Sequence, residues 1–307
     1  MATLLNKGKK GDKEMSFLEH LEELRWHIIR SVVAIVILMI VAFCFRNLIF
    51  DTIIFSPRNP DFITARLLGD LGNWVSQYLK FIDADVLYIN QKQANIINIK
   101  MAGQLIAHIK ISLVAGLILA FPVILWEFWK FFEPALKPNE KKYASGTILI
   151  ASLLFFIGVL FGYFALAPLS IHFLTAYETS EIVVNQIDMM SYIGTVTSVS
   201  LATGLVFELP IIVFFLTKIG ILTPEFMRTY RRHAIVLTLI VAAIITPPDV
   251  FSQILVAIPL LFLYEISIFI SARIVKQKER ELAAFMNDEP ISTDTNIVRS
   301  SNEVTHR

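Results

Sequence analysis

The chain has 307 residues, of which 55% are hydrophobic and only 17% are charged, and its mean hydropathy is +0.64. A soluble domain carries about 25% charged residues, so the composition excludes an ordinary soluble protein and predicts a membrane protein. The net charge of +1 gives no bulk attraction to nucleic acid. Cys44 is the single cysteine, and no cysteine or histidine cluster has metal-ligand spacing, so we expect no disulfide, metal or cofactor.

The N-terminal region is predicted to be a polar arm, residues 1–15, followed by an amphipathic helix, residues 16–30. Phe17, Leu21 and Leu24 share one face of that helix, which is expected to lie at the inner interface and lead into the first span. No small-residue cleavage pattern follows the first apolar run, so it is interpreted as a retained helix and not a signal peptide. By physics alone, the polar side of the amphipathic helix is a solvated face; it carries Glu22, Glu23 and Arg25.

Six apolar segments are candidates for membrane-spanning helices, which need about 20 residues each. They cover residues 27–46, 103–126, 146–168, 191–217, 233–246 and 250–270. The fifth segment allows only about 21 Å of helix against a hydrocarbon core of roughly 30 Å. A Pro-Pro-Asp turn at 247–249 then begins the sixth. The sequence therefore predicts an all-α polytopic protein whose last two helices are short and form a hairpin that either thins the bilayer locally or is sheltered by its neighbours.

Lysine and arginine predict the orientation, because connections rich in them stay on the inner side. The connections 169–190 and 247–249 contain none, whereas the alternate connections and both terminal segments are basic. Both termini are therefore expected inside. The first connection, 47–102, carries five basic residues, but long loops cross the membrane regardless of charge. Within it, residues 63–80 have helical apolar spacing and are predicted to lie on the outer surface. Residues 274–307 are predicted to be a cytoplasmic, disordered tail.

Glu208 is the most distinctive single residue, because it lies near mid-membrane in Phe-Glu-Leu-Pro. A charged carboxylate there costs on the order of 3 kcal/mol, so an intramembrane acid is interpreted as functional. The alternative is a protonated glutamate bonded to a neighbouring helix. Pro210 predicts a kink beside this acid. Gln253, at the start of the sixth span, is a candidate for polar contacts across the bundle.

The connection after the second span combines aromatic residues with two prolines and an acid. An aromatic belt at the interface explains most of residues 121–143. It does not explain Glu140, which Pro134 and Pro138 are expected to hold in a fixed, exposed inner loop. The sequence contains no nucleophile elbow, Walker loop or zinc-protease motif, so we expect no enzymatic activity. Any work must then draw on a membrane gradient or a partner.

Four stretches together resemble the TatC family of twin-arginine protein translocases. They are His-Leu-Glu-Glu-Leu-Arg at 20–25, the aromatic and proline-rich segment 121–141, Phe-Glu-Leu-Pro at 207–210, and Thr-Pro-Pro-Asp-Val-Phe-Ser-Gln at 246–253. They occur in family order across about residues 16–273, which would form a six-helix TatC-like domain. The first connection, 47–102, looks longer than in typical members, and no function is assigned to it.

The resemblance implies a receptor for signal peptides that carry two adjacent arginines and direct folded precursor proteins to export. Glu23 and Glu140 match the acids that receive these arginines, and Phe131 matches the aromatic residue of that site. Arg25 is included in the predicted site. The chemistry agrees, because guanidinium binds carboxylates bidentately and lysine does not.

The resemblance also implies a place in a larger assembly. Glu208 matches the intramembrane acid of the family's concave face, and Gln253 matches a polar residue that contacts the single-span partners TatA and TatB. The complex is expected in the cell inner membrane, with self-association, use of the proton motive force and no nucleic acid. The alternative function is a proton-coupled secondary transporter that uses Glu208. Paired halves typical of transporters are not found in the sequence.

Overall fold

The computed structural model describes residues 17–78, 95–132, 144–177, 180, 185–246 and 250–288. These residues are almost entirely helical, which confirms the all-α prediction. The α-helices are α1 (Phe17–Cys44), α2 (Ile63–Tyr78), α3 (Gly103–Phe132), α4 (Ala144–Phe161), α5 (Ala167–Ala176), α6 (Met189–Val206), α7 (Leu209–Lys218), α8 (Pro224–Thr229), α9 (Arg231–Ile245) and α10 (Val250–Asp288). Two π-helical segments, Leu48–Ile54 and Gly162–Leu166, and one short parallel strand pair, Ile96–Ile97 with Ile187–Asp188, complete the described secondary structure.

Five helical stretches of the described residues are long and apolar enough to cross a membrane. They are Leu21–Cys44, Gly103–Phe131, Gly146–Ala176, Met189–Lys218 and Gln253–Arg280. The remaining predicted span is α9, whose 15 residues measure about 22 Å. Its length confirms the prediction of a short fifth helix. The chain is therefore a polytopic membrane protein.

The sixth helix differs from the prediction. Helix α10 begins at Val250, as expected, but continues for 39 residues to Asp288. The prediction that the last two helices are both short therefore holds for α9 and not for α10. The predicted disordered tail, residues 274–307, also begins with 15 helical residues. Strong helix formers such as Lys, Gln, Glu, Leu and Ala fill residues 276–284, and their propensity continues the helix. Residues 289–307 lie outside the described part of the chain.

Helices α1 and α3 pack antiparallel, with contacts from His27 to Phe43 of α1 and from His108 to Glu127 of α3. At one end His27 of α1 contacts Glu127 of α3, and at the other end the rings of Phe43 and His108 stack with centroids 3.8 Å apart. Gly116 lies at a close approach of the two backbones, since a Cβ atom there would be 2.7 Å from the backbone nitrogen of Met39. This pairing places the inner ends of α1 and α3 side by side.

The first connection is held against the third and fourth spans by hydroxyl groups. Tyr163 donates a 2.7 Å hydrogen bond to the carbonyl of Ile53, and Tyr192 donates a 3.0 Å bond to the carbonyl of Ile54. The hydroxyl of Thr64, in α2, donates to the carbonyl of Phe164 within the π-helical segment of the third span. Helix α2 occupies the place predicted for a helix at residues 63–80.

Three helices that run toward the predicted inner side carry the same motif where they approach that side. In each, a basic side chain lies over an aromatic ring four residues earlier, which puts the two residues on one helix face. The pairs are Trp126–Lys130 in α3 (5.5 Å), Phe214–Lys218 in α7 (5.5 Å) and Phe269–Arg273 in α10 (4.3 Å). Such pairs anchor helix ends at a membrane interface.

Candidate functional site

A buried acid joins the inner ends of α1 and α3. Glu127 is only 7% exposed, and its Oε2 atom lies 2.7 Å from Nδ1 of His27. A carboxylate only accepts hydrogen bonds, so Nδ1 of His27 donates. Arg30 lies 3.5 Å from the same oxygen, and Lys130 lies 3.6 Å from Oε1. We call these four residues the Glu127 cluster.

The spacing of the Glu127 cluster follows from helix geometry. His27 and Arg30 are three residues apart on α1, and Glu127 and Lys130 are three apart on α3, so each pair shares one helix face. His27 is buried, whereas the side chains of Arg30 and Lys130 are 57% and 41% exposed. The cations offset the cost of burying the carboxylate. The sequence pattern does not single out Glu127, because this residue lies within the aromatic belt. Its one signal is an acid inside an apolar helix three residues before a lysine.

Two of the predicted site residues lie together beside this cluster. Glu23 is one helical turn before His27 on the same face of α1, and Phe131 is one turn after Glu127 on α3. Because the helices are antiparallel, both residues lie on the inner side of the His27–Glu127 bond. The Phe131 ring meets the His27 ring edge-on, with centroids 6.3 Å apart. Glu23 is half-buried, and its Oε2 atom is buried without a hydrogen-bond partner among the described residues.

The other predicted residues of this site are not brought to it by the described part of the chain. Arg25 is exposed and lies about 200° around α1 from Glu23, since each residue turns the helix by about 100°. It therefore projects from a different face. Glu140 lies outside the described residues, eight positions beyond the end of α3.

Glu208 interrupts the fourth span. It lies in a turn between α6 and α7, directly before Leu209 and Pro210, so the predicted kink is present. Its side chain is 7% exposed, and Oε1 is buried without a hydrogen-bond partner among the described residues. The alternative of a protonated glutamate bonded to a neighbouring helix therefore finds no hydrogen-bond partner, donor or acceptor, for Oε1 in the described structure.

The predicted partner-contact residue Gln253 is half-buried and bridges α9 and α10. Its amide nitrogen donates a 3.2 Å hydrogen bond to the carbonyl of Leu239. Farther along the same hairpin, Arg231 and Glu265 form an ion pair of 2.9 Å. No group of three or more metal-ligating side chains occurs in the part of the chain that the structure describes.

The sequence model of the TatC family, described as Sec-independent protein translocase protein, matches residues 19–259. The chain belongs to the TatC family. It is 42% identical over 270 residues to a TatC protein of Blattabacterium, covering 88% of this chain and all of the relative. It is 35% identical over 271 residues to TatC of Aquifex aeolicus, covering 87% of this chain and 99% of the relative.

Solved structures of TatC proteins have the same fold. One, described as the twin-arginine translocase receptor TatC, is 34% identical, with a TM-score of 0.59 over 84% of this chain and all of its own. A second, of the receptor in the detergent DDM, is 35% identical, with a TM-score of 0.63 over 82% of this chain and 99% of its own. The predicted resemblance is confirmed. This TatC protein is a multi-pass subunit of a protein translocase, and its family favours that function over the transporter alternative.

Proposed function

We propose that this TatC protein is the receptor for twin-arginine signal peptides of folded precursor proteins. It would lie in the cell inner membrane with both termini on the inner side, as the distribution of lysine and arginine indicates. Solved relatives that carry the description of receptor support the proposal. The observation that carries it is the buried Oε2 atom of Glu23, which lacks a hydrogen-bond partner among the described residues and lies on the same inner level as Phe131.

The chemistry of this site suits arginine. A buried carboxylate oxygen without a partner is costly, and a guanidinium that donates to it forms a strong, charge-assisted hydrogen bond. Its planar fork donates two parallel hydrogen bonds, which the ammonium of lysine does not. We assign one arginine to Glu23 and the other to Glu140, with Phe131 packing against a guanidinium or the apolar residue that follows. Arg25, on another face of α1, meets the peptide only outside this group.

The rest of the export cycle is proposed to depend on partners. Glu208 and Gln253 are assigned to contacts with single-span proteins of the TatA and TatB type, and the complex is expected to contain several copies of this chain. The sequence has no nucleotide-binding loop, which favours the proton motive force as the energy source. We assign no catalytic role to any residue.

Binding of a fluorescent twin-arginine peptide to the purified protein in detergent tests the proposal. Loss of one charge-assisted hydrogen bond is worth about 1.5–3 kcal/mol, so Glu23→Gln and Glu140→Gln should each weaken binding about tenfold to a hundredfold. Glu22→Gln is the matched control, because Glu22 adjoins Glu23 but is exposed. Undiminished affinity in the Glu23→Gln, Glu140→Gln double variant would rule out the assigned site.

A further inference from the structure

The hydrogen-bond donor best placed to reach Glu23 is turned away from it. His27 follows Glu23 by four residues, so the two side chains share one face of α1 and the imidazole could donate to the carboxylate. The structure instead directs Nδ1 of His27 across to Glu127 at 2.7 Å, while Oε2 of Glu23 has no hydrogen-bond partner among the described residues. Glu127 thus occupies the group that would otherwise bond to Glu23.

On α3, the side chain of Lys130 is also held by Glu127. Lys130 directly precedes Phe131, and the antiparallel pairing puts it near the level of Glu23. Its ammonium lies 3.6 Å from Glu127 and 5.5 Å from the centre of the Trp126 ring, both of which precede it on α3. The side chain is therefore drawn back toward the membrane. On α1, Arg30 also lies within 3.5 Å of Glu127.

We propose that Glu127 is a positioning residue that keeps Glu23 open for the incoming arginine. Its buried carboxylate binds His27, one helical turn from Glu23 on α1, and Lys130, near the same level on α3. Neither side chain is then available to pair with Glu23. The inference rests on the proposed function, since it explains the selectivity of the same site, but it concerns a residue that the peptide does not touch.

The proposal predicts that removing Glu127 creates an internal competitor. In Glu127→Gln, the released His27 and Lys130 pair with Glu23 and oppose the guanidinium. A partly exposed pair of this kind is worth up to about 1 kcal/mol, so peptide binding weakens by about three- to fivefold. Removing the competitors as well, in Glu127→Gln with His27→Gln and Lys130→Gln, restores binding to within about twofold of the wild type. A residue needed only for packing gives no such rescue, because each further substitution removes another contact.

Titration of the full-length protein in detergent with the fluorescent twin-arginine peptide tests this inference. The single variant Glu127→Gln should bind weakly and the triple variant should bind normally, with size-exclusion elution and helical circular dichroism as controls for folding. Wild-type affinity in Glu127→Gln overturns the inference, and so does weak binding in the triple variant. If the single variant fails to fold, the affinity of the triple variant decides alone. A separate measurement tests the proposed function itself: if Glu23→Gln binds the peptide as tightly as the wild type does, the proposed function is wrong.

Discussion

The hydroxyl of Tyr192 donates a 3.0 Å hydrogen bond to the carbonyl oxygen of Ile54. This bond connects the π-helical segment Leu48–Ile54 to the fourth span. Tyr192 is only 2% exposed, so its removal leaves a buried acceptor without a partner. We expect Tyr192→Phe to lower the free energy of unfolding by about 1–2 kcal/mol. Chemical denaturation in detergent measures the change. Tyr177→Phe, at a tyrosine that is 68% exposed, is the control and should change little.

The close approach of α1 and α3 at Gly116 gives a second prediction. Gly116→Ala forces a methyl group against the backbone of Met39, which cannot move away without shifting α1. We expect a loss of about 1–3 kcal/mol in stability. The control is Gly146→Ala, because a Cβ atom there meets nothing within 4 Å and alanine favours the helix by up to about 1 kcal/mol. Equal stability of the two variants would contradict the packing described for Gly116.

The ion pair between Arg231 and Glu265 links α9 to α10, and both side chains are 49% exposed. Exposure limits such a pair to about 0.2–1 kcal/mol. A double-mutant cycle with Arg231→Gln and Glu265→Gln should therefore give a coupling free energy within that range, and the coupling should shrink in high salt. A coupling of several kcal/mol would show that the pair is far better shielded from solvent than its exposure indicates.

We predict that Glu208 lowers the stability of the folded protein and is needed for its export activity. Its Oε1 atom is buried without a partner among the described residues, so Glu208→Leu removes an uncompensated polar group at similar volume. We expect the free energy of unfolding to rise by about 1–3 kcal/mol in detergent. Export of a twin-arginine precursor, measured in cells where this chain replaces their own TatC, should fall.

The control for Glu208 is Glu225→Leu, at an exposed acid in the first turn of α8. Loss of its favourable interaction with the helix dipole should cost about 0.3–1 kcal/mol and leave export unchanged. A destabilised Glu208→Leu protein would mean that the carboxylate is bonded after all.

The features that the sequence predicted are those that depend on local patterns. Apolar runs predict the spans, and the apolar spacing of residues 63–80 predicts α2. The short run between Arg232 and Pro247 predicts the length of α9. The Thr223-Pro224 pair is typical of a helix start, and the Thr223 hydroxyl accepts a 3.2 Å hydrogen bond from the backbone nitrogen of Phe226. Each of these signals lies within a few residues of the feature it predicts.

The features that were missed depend on contacts between distant residues. The pairing of His27 with Glu127 spans 100 positions and requires the register of α1 against α3, which no local pattern encodes. The π-helical segment Gly162–Leu166 is likewise associated with contacts to residues far along the chain, since Tyr163 and Phe164 bond to Ile53 and Thr64. Glu23 was found only through resemblance, because its significance depends on where His27 points.

The length of α10 allows a distance from the membrane interface to be measured. Beyond Arg273, whose guanidinium lies over the ring of Phe269, the helix continues for 15 residues, or about 22 Å. Lys278 donates a hydrogen bond to the carbonyl of Lys218 and so fixes the first part of this extension against α7. A fluorophore attached close to Asp288 is thus carried at a known spacing from the interface, and energy transfer to a labelled precursor would report how near a docked cargo stands to the bilayer.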